Sequence, residues 1–249
     1  MVEWAYFLDI DGTLVEIAPF PDQILVGHDL KPIIEQLHAS TGGAVAFITG
    51  RSIADVDRVF PVGLVSVAGQ HGLEVRDATG NVSRHPARVE SLDRLRLTLI
   101  DTVAKHPGLV AEFKGLSIAL HYRAAPRLAS YAHRLMRILH ARFVPDFVLQ
   151  PGKRVVELKP AGRDKGIAIR ELMESAPFAG RTPVFLGDDA TDEFGFEVVN
   201  QLGGFSIKVG PGRTSARYRL RDVTAVRDWL RLRIRPPAGN HADSPAGSG

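Results

Sequence analysis

The chain has 249 residues, 45% of them hydrophobic and 24% charged, with a formal net charge of +3 and no cysteine. That length suits one large domain or two modest ones with an ample core. The composition excludes disulfides and thiolate metal sites, and no apolar run reaches the roughly 18 residues of a membrane-spanning helix.

Met1 to Leu8 lacks the basic start and long apolar core of a signal peptide, so a cytoplasmic location is expected. Tyr6–Leu8 is a short apolar run ending in acidic residues. Leu30, Ile33, Ile34 and Leu37 repeat at helical spacing. Ala44–Ile48 reads as a buried strand. Ser52 suits the cap of a helix carrying Ile53, Val56, Val59 and Phe60, and Val65–Ala68 is a further strand. Alternating strands and helices predict a doubly wound parallel sheet, Rossmann-like, covered on both faces.

The middle of the chain changes character. Glu74–Arg76 and Val82–Arg84 flank a turn. Leu92, Leu95, Leu99 and Val103 form a helical stripe. Val110–Phe113 and Ser117–Tyr122 flank Lys114-Gly115-Leu116 as a hairpin. A helix over 127–142 and strands at 147–149 and 155–158 follow. These predict an inserted α+β cap over 78–160, with the core formed by 1–77 and 161–235. The α/β pattern then resumes with a helix at 164–174, a strand at 183–186, a helix at 192–200, a strand at 205–209 and a helix at 222–232. The stretch 236–249, rich in Pro, Gly, Ser and Ala, is expected to be disordered. The arginines between Arg213 and Arg235 read as a solvated face rather than a nucleic-acid surface.

Four short clusters carry chemistry. Phe7-Leu8-Asp9-Ile10-Asp11-Gly12-Thr13 delivers two carboxylates from the end of a buried strand, where open parallel sheets bind ligands. Two close carboxylates repel unless a cation or proton holds them, and oxygen donors alone suit a hard cation such as Mg²⁺. Such a cation lets a carboxylate approach a phosphate dianion, and aspartyl-phosphate formation is one form of covalent catalysis. Ile48-Thr49-Gly50-Arg51-Ser52 places a hydroxyl and backbone N–H groups after another strand, where they suit a phosphoryl oxygen, although taken in isolation this piece reads better as a plain helix N-cap at Ser52. Lys165 opens a helix and can neutralise phosphoryl charge. Asp188-Asp189-Ala190-Thr191-Asp192-Glu193 is a dense acidic loop. The helix dipole accounts for Asp192 and Glu193 but not for Asp188 and Asp189.

Taken in order, these clusters resemble the haloacid dehalogenase superfamily of phosphatases over nearly all of residues 5–230. Asp9-Ile10-Asp11-Gly12-Thr13, Thr49, Lys165 and Asp188–Asp192 are similar to its four motifs, and the insertion is similar to its second type of cap. The resemblance implies that Asp9 is the nucleophile and Asp11 the general acid and base. It implies Mg²⁺ held by Asp9, the Asp11 backbone carbonyl and Asp188. Thr49 and Lys165 would hold phosphoryl oxygens, with Asp189 and Asp192 supporting the metal's waters and Lys165.

Within that superfamily three stretches resemble the trehalose-6-phosphate phosphatase family: Ala68–Glu74, Glu112–Lys114 with Ser117–Arg123, and Gly152–Pro160. Glu112, Lys114 and Glu157 would then bind sugar hydroxyls, joined by Arg123 and His71. Ile10 stands where that family has an aromatic residue, and Gln70 where it has a small one. The implied partner is a small sugar phosphate, with neither nucleic acid nor membrane, and the oligomeric state stays open. Other readings on the same core are phosphatases of sucrose phosphate or mannosylglycerate phosphate, a phosphomannomutase, and a non-catalytic sugar-phosphate sensor.

Overall fold

In a computed structural model, the described residues are 3–18, 26–61, 63, 65–85, 90–142 and 147–234. The tail from 236, expected to be disordered, lies outside them.

The fold is α/β. The first half runs β1 (Trp4–Leu8), α1 (Leu30–Ser40), β2 (Val45–Ile48), α2 (Ile53–Val59), β3 (Ser66–Gly69), β4 (Glu74–Arg76) and β5 (Val82–Arg84). Then come α3 (Glu90–Lys105), β6 (Val110–Phe113), β7 (Ile118–His121), α4 (Ala129–His140), β8 (Phe147–Gly152) and β9 (Val155–Pro160). The chain finishes with α5 (Lys165–Met173), β10 (Thr182–Gly187), α6 (Glu193–Gln201), β11 (Phe205–Val209), β12 (Tyr218–Leu220) and α7 (Val223–Ile234).

Eight strands form one sheet in the order β12-β11-β10-β1-β2-β3-β4-β5, parallel from β12 to β3 and antiparallel at β4 and β5. Alternation along the strands buries both faces. Tyr6, Leu8, Val45, Phe47, Val184 and Leu186 pack under α1, α2 and α7. Ala5, Phe7, Ala46, Ile48 and Phe185 pack against Ile169 and Leu172 of α5 and Phe196 and Val199 of α6. The chain leaves β1 towards β2 on one side and returns through β10 on the other. That reversal opens a crevice at the carboxyl ends of β1 and β10.

A second, antiparallel sheet has the order β6-β7-β9-β8. Ile118, Leu120, Val156 and Leu158 fill its apolar face against Leu95 and Leu99 of α3 and Ala132, Met136 and Leu139 of α4. The opposite face carries Glu112, Ala119 and Glu157 in one row, since Glu112 pairs with Ala119 and Ala119 with Glu157. The short turn after β4 returns as β5 into the large sheet, so the second sheet itself begins at Val110.

Two local signals act as read. The Ser52 hydroxyl accepts the Asp55 N–H at 3.1 Å and starts α2, while Asp164 accepts the Ile167 N–H at 2.9 Å and starts α5. Strand β12 has no counterpart in the sequence reading: three residues among arginines carry too little pattern, and only pairing with β11 makes them a strand. No described helix is long and apolar enough to cross a membrane.

Candidate active site

Strand register assembles the first, second and fourth clusters. Leu8 stands opposite Leu186 and Phe47, so Asp9, Thr49 and Asp188 leave their strands side by side. The Asp9 N–H donates to the Leu186 carbonyl at 3.0 Å, which carries the pairing one residue past β1. Gly12, at φ 86°, closes the loop after Asp11; a Cβ there would lie 2.2 Å from Asp188 Oδ2. Any side chain at this position would push that carboxylate aside.

Asp9 is buried. Its Oδ1 accepts from Lys165 Nζ at 2.8 Å and its Oδ2 from the Thr13 hydroxyl at 3.1 Å. Burial pushes its pKa well up; Lys165 opposes this, while Asp192 and Asp188 add to it. Asp188 is pushed up to about 7, by burial first and then by Asp192 and Asp189, against the pull of Lys153 at 3.2 Å. Lys165 is itself buried, yet its two carboxylate partners outweigh desolvation and hold its pKa well above the ordinary lysine value.

Carboxylate oxygens of Asp9, Asp188 and Asp192 lie within 4.8 Å of one another. This oxygen-only group can hold a hard cation, and the unfavourable ionisation of Asp9 and Asp188 in the protein alone is the charge deficit such a cation would correct. Asp192 differs from the other two. Its Oδ1 accepts from Lys165 at 2.6 Å, and its Oδ2 accepts the N–H groups of Asp188 and Asp189, each at 2.9 Å. With both oxygens engaged it suits holding the loop and the lysine better than ligating. Asp189 Oδ1 accepts the Thr191 N–H and hydroxyl, each at 2.7 Å. Burial raises the Asp189 pKa, but Lys165 and Thr191 outweigh it and keep the group below the usual carboxylate range.

The Asp11 carboxylate lies outside that group. Arg51 grips it through both oxygens, with Nε at 2.7 Å and Nη2 at 2.8 Å. Thr49 is fully buried, and its hydroxyl oxygen accepts the Arg51 N–H at 3.1 Å. Gly50 and Arg51 line the cavity, rather than Thr49.

The expected sugar-binding residues line the same cavity as Asp9: Glu112, Lys114, Arg123, Glu157 and His71. Lys114 Nζ donates to the Gly50 carbonyl at 2.8 Å and lies 3.4 Å from each Glu157 oxygen. His71 donates its Nε2–H to Glu157 Oε2 at 3.1 Å. Burial drives the His71 pKa down, with Glu157 opposing. Burial drives the Glu157 pKa up, but Lys114 and His71 reverse this and hold it well below its ordinary value. Arg123 Nη1 donates to the Ala18 carbonyl at 3.0 Å, tying the second sheet's end to the first loop.

His71 reaches Glu157 through costly backbone. Gln70 and His71 are both left-handed, at φ 48° and 58°, a conformation costing non-glycine residues about 1–3 kcal/mol each. The Gln70 N–H to Arg51 O (2.8 Å) and the His71 N–H to Thr49 O (2.9 Å) hold it in place.

Among the side chains that bond to a candidate carboxylate, Arg51, Ser117, His121 and Lys153 were not singled out from sequence. Each lies inside a stretch already marked by motif, so the signal was position; what was lacking was the partner.

A family model described as trehalose-phosphatase matches residues 7–224. The chain is 44% identical over 236 residues to the trehalose-6-phosphate phosphatase of Escherichia coli (strain K12), covering 92% of this chain and 86% of that protein. It is 41% identical over 208 residues to a probable trehalose-phosphate phosphatase of Sinorhizobium fredii, covering 84% and 78%. Among solved structures, a trehalose-6-phosphate phosphatase related protein superposes with TM-score 0.76 at 28% identity, over 92% of this chain and 96% of that one. The C-terminal domain of the C. albicans trehalose-6-phosphate phosphatase shares the fold, with TM-score 0.84 at 22% identity over 94% and 92%.

Proposed function

The chain belongs to the trehalose-phosphatase family, and from that premise we infer that it hydrolyses trehalose 6-phosphate to trehalose and inorganic phosphate. It is a phosphoric monoester hydrolase acting on a small sugar phosphate. The observation that carries the substrate reading is the single cavity that joins Asp9 and Lys165 to Glu112, Lys114 and Glu157. Phosphate fits the first pair, and sugar hydroxyls, which need both donors and acceptors, fit the second group.

We assign the nucleophile to Asp9. Its carboxylate attacks phosphorus, the bond to the sugar oxygen breaks, and an acyl phosphate of Asp9, a mixed anhydride, results. Asp11 gives a proton to the departing oxygen and then takes one from the water that cleaves the acyl phosphate, releasing inorganic phosphate and restoring Asp9. Gripped by Arg51 through both oxygens, Asp11 must turn from that guanidinium before either step. Lys165 stays beside Asp9 throughout and balances the transferred charge. Thr49, its hydroxyl proton uncommitted to Arg51, remains the proposed donor to a phosphoryl oxygen.

The cation we propose is Mg²⁺, held by the carboxylates of Asp9 and Asp188 with the Asp11 backbone carbonyl, and supported by Asp189 and Asp192. Bound there, it would offset the repulsion between the nucleophile and a phosphate dianion. Protons compete for the same oxygens. Because Asp188 is raised to about 7, cation affinity is expected to climb from pH 5 to pH 7 and level off above about 8, with proton uptake by buffer accompanying binding at the lower end. Titration calorimetry in two buffers of different ionisation enthalpy measures both. An affinity flat across that range would remove Asp188 from the ligand set.

The substrate reading is tested by phosphate release from a panel of sugar phosphates with Mg²⁺. Trehalose 6-phosphate is expected to give the highest kcat/KM, by at least about tenfold over glucose 6-phosphate, since the second sugar adds hydrogen bonds. Preference for sucrose phosphate or mannosylglycerate phosphate, or isomer interconversion without release, would overturn it.

A further inference from the structure

Strand β7 lies between the two strands that carry the cavity's glutamates, β6 with Glu112 and β9 with Glu157. Alternate residues 117, 119 and 121 share one face of this strand, opposite the face of Ile118 and Leu120 that fills the apolar core. Ala119 stands in register with both glutamates, and its single methyl leaves the space between them open. Its two neighbours on that face each hold one of the carboxylates.

Ser117 is fully buried and donates its hydroxyl to Glu157 Oε1 at 2.5 Å. Its next polar neighbour is Gln70 Oε1, at 3.5 Å. Gln70 in turn donates to Glu74 Oε1 at 3.2 Å, and the same oxygen accepts the Ile53 N–H at 2.7 Å. Glu157 thus rests on a buried chain of groups that reaches the first turn of α2. On the other side, His121 donates its Nε2–H to Glu112 Oε2 at 2.7 Å, whereas Lys114 stays 3.9 Å from that oxygen. The His121 Nδ1 is buried with no hydrogen-bond partner among the described residues, so Glu112 is the one group this ring holds there.

Neither the Ser117 hydroxyl nor the His121 imidazole spends its bond to a glutamate on the backbone. A buried hydroxyl and a buried imidazole cost desolvation unless they are paired, and each is paired with a sugar-facing carboxylate. Fixing a carboxylate's rotamer before the ligand arrives removes an ordering cost from binding. We propose that Ser117 and His121 are positioning residues that set where Glu157 and Glu112 meet the leaving sugar, and thereby set the preference for a disaccharide phosphate over a simple phosphate ester.

The inference rests on the sugar-phosphatase reading above. Its test compares trehalose 6-phosphate with p-nitrophenyl phosphate, which has no hydroxyls for the glutamates to bind. In Ser117→Ala and His121→Ala, KM for trehalose 6-phosphate is expected to rise about tenfold with kcat within about twofold, so the ratio of kcat/KM on the two substrates falls about tenfold. Ser117→Thr, which keeps the hydroxyl, and His121→Gln, which keeps a donor, are expected to recover most of the ratio. They also keep the test open where an alanine variant folds poorly. Equal losses on both substrates, an unchanged ratio, or no recovery in the conservative variants would overturn the proposal. A wild-type protein inert on trehalose 6-phosphate would defeat the substrate reading instead. The same ratio is then read on the sugar phosphate it does cleave, where the proposal stands or falls by the same criteria.

Discussion

Asp9→Asn is expected to lower kcat on trehalose 6-phosphate by at least about 10³-fold while leaving the protein folded and as stable as the wild type. An amide nitrogen does not attack phosphorus, and its oxygen is a far weaker nucleophile than a carboxylate. Loss of a nucleophile removes a whole covalent route, so the effect exceeds that of a single hydrogen bond; a 10³-fold change is about 4 kcal/mol of barrier. Stability should behave differently. Burial and the nearby Asp188 and Asp192 disfavour a charge at Asp9, so a neutral side chain of the same shape relieves repulsion, and Lys165 keeps Asp192 at 2.6 Å. Steady-state phosphate release and thermal melting measure the two halves. Turnover close to wild type in a folded variant would sink the nucleophile assignment.

Lys165→Met is expected to cost both turnover and stability. Lys165 is buried with side-chain exposure of only 3%, and it links Asp9 to Asp192. Removing one partner of a buried ion pair leaves charge without compensation, at about 3–5 kcal/mol. At 2–4 °C per kcal/mol for a chain of this size, the melting temperature should fall by about 10 °C at pH 7.5. The loss should shrink as pH is lowered, because protonation relieves the two carboxylates, whose pKa values burial already raises. Saturating Mg²⁺ should restore part of it by supplying positive charge beside Asp9. Melting curves with EDTA and with Mg²⁺ read this directly. An unchanged melting temperature in EDTA would show that the lysine is not what holds the acidic residues together.

Much of the architecture was legible because its causes are local. Leu30, Ile33, Ile34 and Leu37 repeat at helical spacing, and all four are buried in α1. Strands expected at 110–113 and 205–209 occupy those residues. The acidic and hydroxyl clusters were legible for the same reason: each follows immediately on a short apolar run, and the ends of parallel strands collect ligands. The three-residue strand β12 was not legible, since its strand character comes from its neighbour rather than from its own side chains.

What the sequence determined by itself was therefore the kind of fold and the residue types available for phosphate chemistry, because hydrophobic period and strand-end position act over a few residues. What the tertiary structure decided was pairing: that Lys165 meets Asp9 across 156 positions, that Arg51 takes Asp11 across 40, and that Glu157 meets His71 across 86. These contacts depend on strand register and on the placement of one sheet over the other. A shift of one residue in register turns a side chain to the opposite face. No local pattern encodes which distant partner then lies within hydrogen-bonding reach.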